Sequence, residues 1–310
     1  MTAFDEIQIL LEERAEIRSR LGLLPYDGTP EIKEVGGQRY LYVRKRELGR
    51  VLSTYVGSYS DDLYNLLLRN ANEAKALNKR IRQIERRLAA LGYFEEEVSP
   101  RVLLNIDFAR ANLKNIIYDQ AILEGVATTF PDTEAILESG KVNNMTAEDT
   151  LKILNLKHAW EFILDKQVAN SPTDYYLSAH IAKLINEGFY RDGGRIRHVP
   201  VTIGGSSYVP PLPLEFEVKE TIANLLKQEK EKEEIAIDLL LYVMKTQIYL
   251  DGNKRTAVIL ANHYMIGHGL GLIVIPYNKV SEFKRLLVDY YEDKDLNGVR
   301  VFLRNCILTF

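Results

Sequence analysis

Between Tyr242 and Thr256 the chain sets an acid, a glycine, an amide and two cations in five consecutive positions, Asp251-Gly252-Asn253-Lys254-Arg255. Glycine permits a turn that points successive backbone N–H groups into one concavity, and a helix beginning just after it adds unpaired N–H groups and a positive dipole end. Such a loop suits phosphate. Asp251 offers a hard oxygen to Mg²⁺, and Arg255 can make charge-assisted bonds to a phosphate oxygen. The same residues also read as a polar turn that caps a helix with no ligand at all.

The surrounding pattern says what must position this loop. Upstream, Tyr242 to Leu250 reads as the end of a helix, and the apolar run Ala257 to Met265 reads as the next one. Near the chain start, Ile7, Leu10, Leu11, Ile17 and Leu21 predict an amphipathic helix over 4–22. Tyr40 to Val43 and Val51 to Val56 are aromatic and β-branched and predict a β-hairpin. From Asp61 to Leu91, Leu63, Leu67, Ala74, Leu77, Ile81, Ile84, Leu88 and Leu91 step by four and three, with Asn70 the one polar interruption. That is a coiled-coil-like seam, and it needs helix 4–22 or a second copy of the chain as partner. Gly92 and Pro100 bracket a break, so the expected domains are 1–99 and 100–310. Arg195 to Val209 predicts strand, turn and strand, closed by Pro210-Pro211. The charged run Lys227 to Glu234 reads as a solvated helix face.

Composition narrows the classes. The 310 residues are 46% apolar and 27% charged, enough for a well-buried core. A single cysteine, Cys306, excludes an internal disulfide framework and reads as core filler. The stretch Ile235 to Met244 is too short to span a bilayer and contains Asp238, and the first residues carry no basic leader, so a cytoplasmic protein with no membrane partner is expected. A net charge of −3 gives no global pull toward nucleic acid.

The segment 247–255 resembles the signature of the Fic/Doc family, His-x-Phe-x-Asp/Glu-Gly-Asn-Gly/Lys-Arg. Gly188-Phe189-Tyr190 through Arg195-Ile196-Arg197-His198-Val199-Pro200 resembles the strand that leads into the family's flap, Ile203-Gly204-Gly205 and Pro210-Pro211 fit the flap and its exit, and Glu124-Gly125 fits the end of an inhibitory-helix motif. The resemblance covers roughly residues 100–310. It implies a mainly α fold: a Fic-type helical core with a β-hairpin flap over Val201, Thr202, Ile203, Gly204 and Gly205 that docks a protein target, preceded by an N-terminal helix, hairpin and long helix. It also implies AMPylation-type chemistry, in which a nucleotide moiety of ATP or another nucleoside triphosphate passes to a protein hydroxyl with Mg²⁺. Carried over, Asp251 holds the metal, Gly252, Asn253 and Lys254 form the anion hole, and Arg255 meets the distal phosphates. Lys254 matches the Doc-like variant, some members of which transfer phosphate, so the reaction type stays open.

The departures from the pattern bear on activity. Gln247 stands at the position of the catalytic histidine, and its amide does not take a proton near neutral pH, so general-base help of about 10²–10⁴-fold is missing. Tyr249 replaces phenylalanine. Val258 stands where many members have a second arginine, which leaves Glu124 to find another partner, with Arg255 the candidate. Gln120 replaces serine or threonine at the start of the inhibitory motif. His263 and His198 are further histidines, each read as packed or solvent-facing rather than catalytic. The sequence therefore supports a nucleotide-binding protein with weak or absent transferase activity, or alternatively a nucleotide-sensing module without catalysis. A basic group at Arg44, Lys45, Arg46 and Arg50 beside Tyr40, Tyr42 and Tyr55, with Lys79, Arg80, Arg82, Arg86 and Arg87 on the long helix, adds nucleic acid as a further partner class. A solvated hairpin and helix face accounts for the same residues. A homo-oligomer is compatible with the seam.

Overall fold

The computed structural model describes residues 3–47, 50–93, 97–139 and 145–309, and the chain divides into two compact units, Met1–Glu95 and Glu96–Phe310.

In the first unit, α1 (Ala3–Leu23) lies against α2 (Asp61–Ala90), and a three-stranded antiparallel sheet in the order β1 (Thr29–Val35), β2 (Gln38–Glu47), β3 (Arg50–Ser58) connects them. Leu10, Leu11 and Ile17 of α1 bury with Ile84 and Leu88 of α2, with Leu77, Ile81 and Leu91 packed around them. The seam thus finds its partner within the chain. Ser60 caps α2, its side chain accepting from the Leu63 N–H. The polar interruption is satisfied as well: Asn70 is buried and its amide donates to the Pro25 carbonyl at 2.8 Å, which ties the chain leaving α1 to the long helix. Arg80 pairs with Glu13 and Arg87 with Glu6 across the helices, exposed pairs that add little each.

The sheet has one strand more than the pattern predicts. Pro30 and four charged or polar neighbours hide β1 from a propensity reading, yet β1 is an edge strand, where proline's missing N–H costs no ladder bond. Gly36 and Gly37, at φ of 59° and 77°, make the tight turn into β2 that two left-handed residues allow. Leu41 and Val43 face Leu67 of α2, while Tyr40, Tyr42 and Tyr55 gather on the opposite face.

The second unit is built from α3 (Pro100–Ala111), α4 (Leu113–Leu123), α5 (Phe130–Ser139), α6 (Ala147–Ile163), α7 (Lys166–Ala169), α8 (Tyr175–Ile185), α9 (Glu215–Leu226), α10 (Lys232–Thr246), α11 (Asn253–Gly267), α12 (Val280–Tyr291) and α13 (Gly298–Arg304). Two-residue strands, β4 (Leu272–Ile273) and β5 (Ile307–Leu308), pair antiparallel. The centre is α11, which packs on α10, α8, α6, α3 and α7 and is buried from Arg255 to Ile266. A helix so enclosed must satisfy its polar residues internally. Asn262 does so by donating to the carbonyls of Val258 and Ile273 and accepting from the Ile273 N–H, which also fixes β4. Cys306 is buried, and burial pushes its thiol up to about 11, as core filler should be. Among the described residues, no helix is long and apolar enough to cross a membrane.

The segment expected as strand, turn and strand takes another form. Ser206 donates to Ile203 in a turn, but the one β pairing here among the described residues is the bridge of Ile196 to Tyr249. Pro200, Pro210 and Pro211 lack the N–H a ladder requires, and the Arg197 guanidinium takes the carbonyls of Val199, Pro210 and Pro211.

Ile84→Ala should destabilise the first unit by about 2–5 kcal/mol in chemical denaturation, because it opens a cavity in the α1–α2 seam, whereas Leu68→Ala, at a position 40% exposed, should cost less than about 0.5 kcal/mol.

Candidate functional site

Helix α10 ends on Gln247, whose φ of 49° and ψ of 61° turn the chain into a left-handed residue. Such a conformation costs a non-glycine residue energy and persists only where its surroundings hold it. They do so here. Arg197, buried at 3% exposure, donates from Nε to the Gln247 carbonyl at 2.6 Å, and the Arg197 N–H donates to Ile248. The Gln247 side chain is fully engaged: Nε2 donates to the Met244 carbonyl at 2.6 Å, and Oε1 accepts from Asn253 Nδ2 at 3.2 Å.

Asn253 closes the loop. It accepts from the Tyr249 N–H at 2.9 Å and donates to the Tyr249 carbonyl at 2.7 Å, so its amide is a structural clasp. Asn186, following α8, donates to the carbonyls of Asp251 and Gly193 and holds the loop from below. Gly252 lies at φ 73°, and a Cβ there would sit 2.6 Å from Ile185 Cγ2, so both backbone and space require glycine. The first helical bond of α11 runs from the Thr256 N–H to the Gly252 carbonyl, which leaves the N–H groups of the opening turn without intrahelical acceptors.

Arg255 is the most buried cation of the site, its side chain 2% exposed. Nη2 donates to Asp251 Oδ2 at 2.9 Å, Nε lies 3.4 Å from Glu124 Oε2, and neither Nε nor Nη1 has a hydrogen bond in the protein. The Glu124 contact is therefore an ion pair of poor hydrogen-bond geometry. Lys254 Nζ stands 3.7 Å from the other Glu124 oxygen. One carboxylate at the end of α4 thus faces both cations of the loop, and Gly125, at φ 79°, turns the chain away behind it. Gln120 docks α4 on α11: it donates to the Arg255 carbonyl at 3.0 Å and accepts from the Trp160 indole at 2.8 Å. A serine or threonine would not span that gap between helix backbone and indole. Val258 packs with Ile116, Leu123 and Ile273 around a cavity of about 10 Å³ that Asp119 and Gln120 also line, at the position where many members of the family that the signature resembles have an arginine.

Tyr249 is buried, and its hydroxyl shares a 2.7 Å hydrogen bond with Ser178, while burial raises its pKa well above the usual phenol range. His263 is no base for this loop. Its Nε2 donates to the Val168 carbonyl at 2.7 Å, which leaves Nδ1 to accept from Thr173, and full burial lowers its pKa to about 4. His198 is exposed on the segment after Arg197.

The segment carrying Val201, Thr202, Ile203, Gly204 and Gly205 is held at its far side by Glu292, just after α12. Glu292 Oε1 accepts from the Ser207 N–H at 2.6 Å and from the hydroxyls of Ser206 and Ser207 at 3.0 Å, and Lys294 pairs with its other oxygen. Lys294 first, then these donors, lower the carboxyl to about 2. No local signal in the sequence marks Glu292 or Asn186, since their partners lie 85 and 65 residues away.

The Fic/DOC family model matches at residues 172–265. That stretch carries the Fic domain. It runs from before α8 to the end of α11 and includes the whole loop. A second model, described as Domain of unknown function (DUF6788), matches residues 4–65, covering α1, the sheet and the start of α2. Comparison with curated proteins gave no match. Among solved structures, Fic-1 (aa134 - 508) from C. elegans is similar at a TM-score of 0.52 with 20% identity, covering 79% of this chain and 73% of that one. A Fic domain containing signaling protein from Bacteroides thetaiotaomicron has the same TM-score and identity over 68% of this chain and 88% of that one. A Fic family protein from Desulfovibrio desulfuricans G20 has a TM-score of 0.52 at 14% identity, over 69% and 74%. The mainly helical Fic-type fold is thereby shown.

Two outcomes follow from the Fic-domain packing. Tyr249→Phe should cost about 1–2 kcal/mol in denaturation, and adding Ser178→Ala should recover most of it, because the single change strands a buried hydroxyl and the double change removes both. For His263, the unfolded chain takes up a proton below about 6.5 while the folded one resists until about 4, so stability falls as pH drops through that window, by about 3 kcal/mol relative to His263→Gln. Equal acid sensitivity in the two proteins would contradict a buried neutral imidazole.

Proposed function

We propose that the loop Asp251 to Arg255 binds a nucleoside triphosphate with Mg²⁺, ATP being the reference ligand, and that nucleotide transfer from it is slow or absent. The observation that carries this reading is the buried Arg255, which keeps Nε and Nη1 without hydrogen-bond partners beside a glycine turn too tight for any Cβ. A guanidinium held that way is competent for a phosphate oxygen. Among the described residues no group of three or more acidic, His or Cys side chains forms a metal cage. Mg²⁺ needs none, since it commonly takes one or two carboxylates with substrate phosphates and water. Asp251, with its side chain 47% exposed, fits that role, and the bound ion would neutralise phosphate charge.

Glu124 occupies the ground a terminal phosphate would need. It lies against Arg255 and Lys254, so an incoming phosphate competes with it for the same two cations. Replacing one anion by another is the basis of inhibition in this reading.

Impaired transfer rests on Gln247. Its amide has no basic nitrogen, and both ends of it are spent on Met244 and Asn253. The segment 201–205, exposed at Thr202, Gly204 and Gly205, supports docking of a protein target. A nucleotide-sensing role without transfer is the second reading, favoured by that same engagement of Gln247.

Calorimetry with Mg²⁺ and ATP tests the binding, and labelled ATP tests the transfer. Glu124→Gly should tighten binding, and Arg255→Ala should weaken it by about 1.5–3 kcal/mol. Gln247→His should raise labelling of the chain or a target well above the parent. If neither Arg255→Ala nor Asp251→Ala affects binding, the site is misassigned; if the parent labels as fast as Gln247→His, the base is.

A further inference from the structure

The first unit holds a surface that the nucleotide loop does not use. Residues Met1–Glu95 carry sixteen lysines and arginines against fourteen acids, so the unit is net basic although the whole chain is acidic. The structure sorts those cations. Arg80, Arg87, Arg20 and Lys45 are committed to Glu13, Glu6, Glu73 and Asp27. Lys75, Lys79, Arg82 and Arg86 are all exposed and have no carboxylate partner among the described residues. Their spacing of four, three and four residues puts them in one row along α2. An open surface depression of about 570 Å³ runs along this row, with Asn72 and Gln83 beside the cations.

A second feature lies on the sheet. Its face away from α2 groups Tyr40, Tyr42 and Tyr55, with ring centroids 6.1 and 5.4 Å apart, and Tyr55 is 52% exposed. Lys33 sits over the Tyr42 ring at 4.2 Å, and Arg44 is exposed on β2 with no carboxylate partner among the described residues. The side chains of Arg46 and Arg50 lie outside the described residues.

We propose that this unit binds single-stranded nucleic acid, with bases stacking on the tyrosine face beside Lys33 and Arg44, and with Lys75, Lys79, Arg82 and Arg86 on α2 as a second, separate contact for the phosphate backbone. Aromatic rings on an open sheet face offer a platform to any base, and a row of cations without carboxylate partners among the described residues attracts a phosphate backbone whatever its sequence. An acidic polypeptide would be served by the cations alone and has no use for three clustered rings. Duplex would meet the cations but keep its bases stacked internally.

Fluorescence anisotropy of the full chain with labelled oligo-dT and oligo-U, each of roughly 20 nucleotides to exceed a single site, tests this. Saturable binding is expected, weaker with duplex of equal length, and the stronger of the two oligomers assigns DNA or RNA. Tyr55→Ser should weaken binding about tenfold with the salt slope unchanged. Lys79→Gln with Arg82→Gln should reduce the slope of log K against log salt by about 1.4, since each phosphate contact on a single strand contributes about 0.7. Lys79 and Arg82 are exposed, so their exchange should leave the melting temperature in place. Tyr55→Ser gives up the ring contacts with Tyr40 and Tyr42 and is compared at a temperature well below its own melting transition. No saturable binding at low salt, equal affinity for duplex, or Tyr55→Ser binding as the parent does with polyglutamate competing as well as oligo-dT would each overturn the proposal.

Discussion

One buried guanidinium organises the approach to the loop Asp251 to Arg255. Arg197 holds the carbonyls of Gln247, Val199, Pro210 and Pro211, and so fixes the left-handed end of α10 together with both arms of the 199–211 segment. Burial lowers the pKa of Arg197 without threatening its charge, because several carbonyl dipoles replace lost water. Remove that cation and three elements lose their common anchor: Gln247 at the end of α10, the loop after it, and the segment 199–211.

The loop itself is a balance of four charges. Asp251 and Glu124 offset Lys254 and Arg255 in the absence of a ligand, and the offset is incomplete, since two Arg255 nitrogens stay without hydrogen bonds. Packing of α4 through Gln120 and Trp160 fixes the place of Glu124 beside these cations.

The two units obey different physical rules. In the Fic-type unit the central helix α11 is enclosed on all sides, so its polar residues are individually satisfied and its loop is held by amide clasps. In the first unit the helices share a single narrow seam, and much of the sheet and of α2 remains open to solvent.

The sequence alone determined whatever depends on neighbours a few residues apart. The four-three spacing from Leu63 to Leu91 gives α2 and its seam, and Asp251 to Arg255 gives the loop, because turn chemistry and helix starts are local. It also showed that Gln247 stands where the signature that the segment resembles has histidine. The absent ladder in 199–211 was not legible, since it depends on where Arg197 meets carbonyls of distant prolines. Nor was β1, whose Pro30 is harmless only because the strand lies at an edge. The tertiary structure decided that Asn253 is a clasp, that His263 is a packed neutral ring, and that Glu124 reaches both Lys254 and Arg255. Each of these turns on groups brought together from far apart in the chain, and in the compact interior it is distance in space, not along the sequence, that sets which charge meets which.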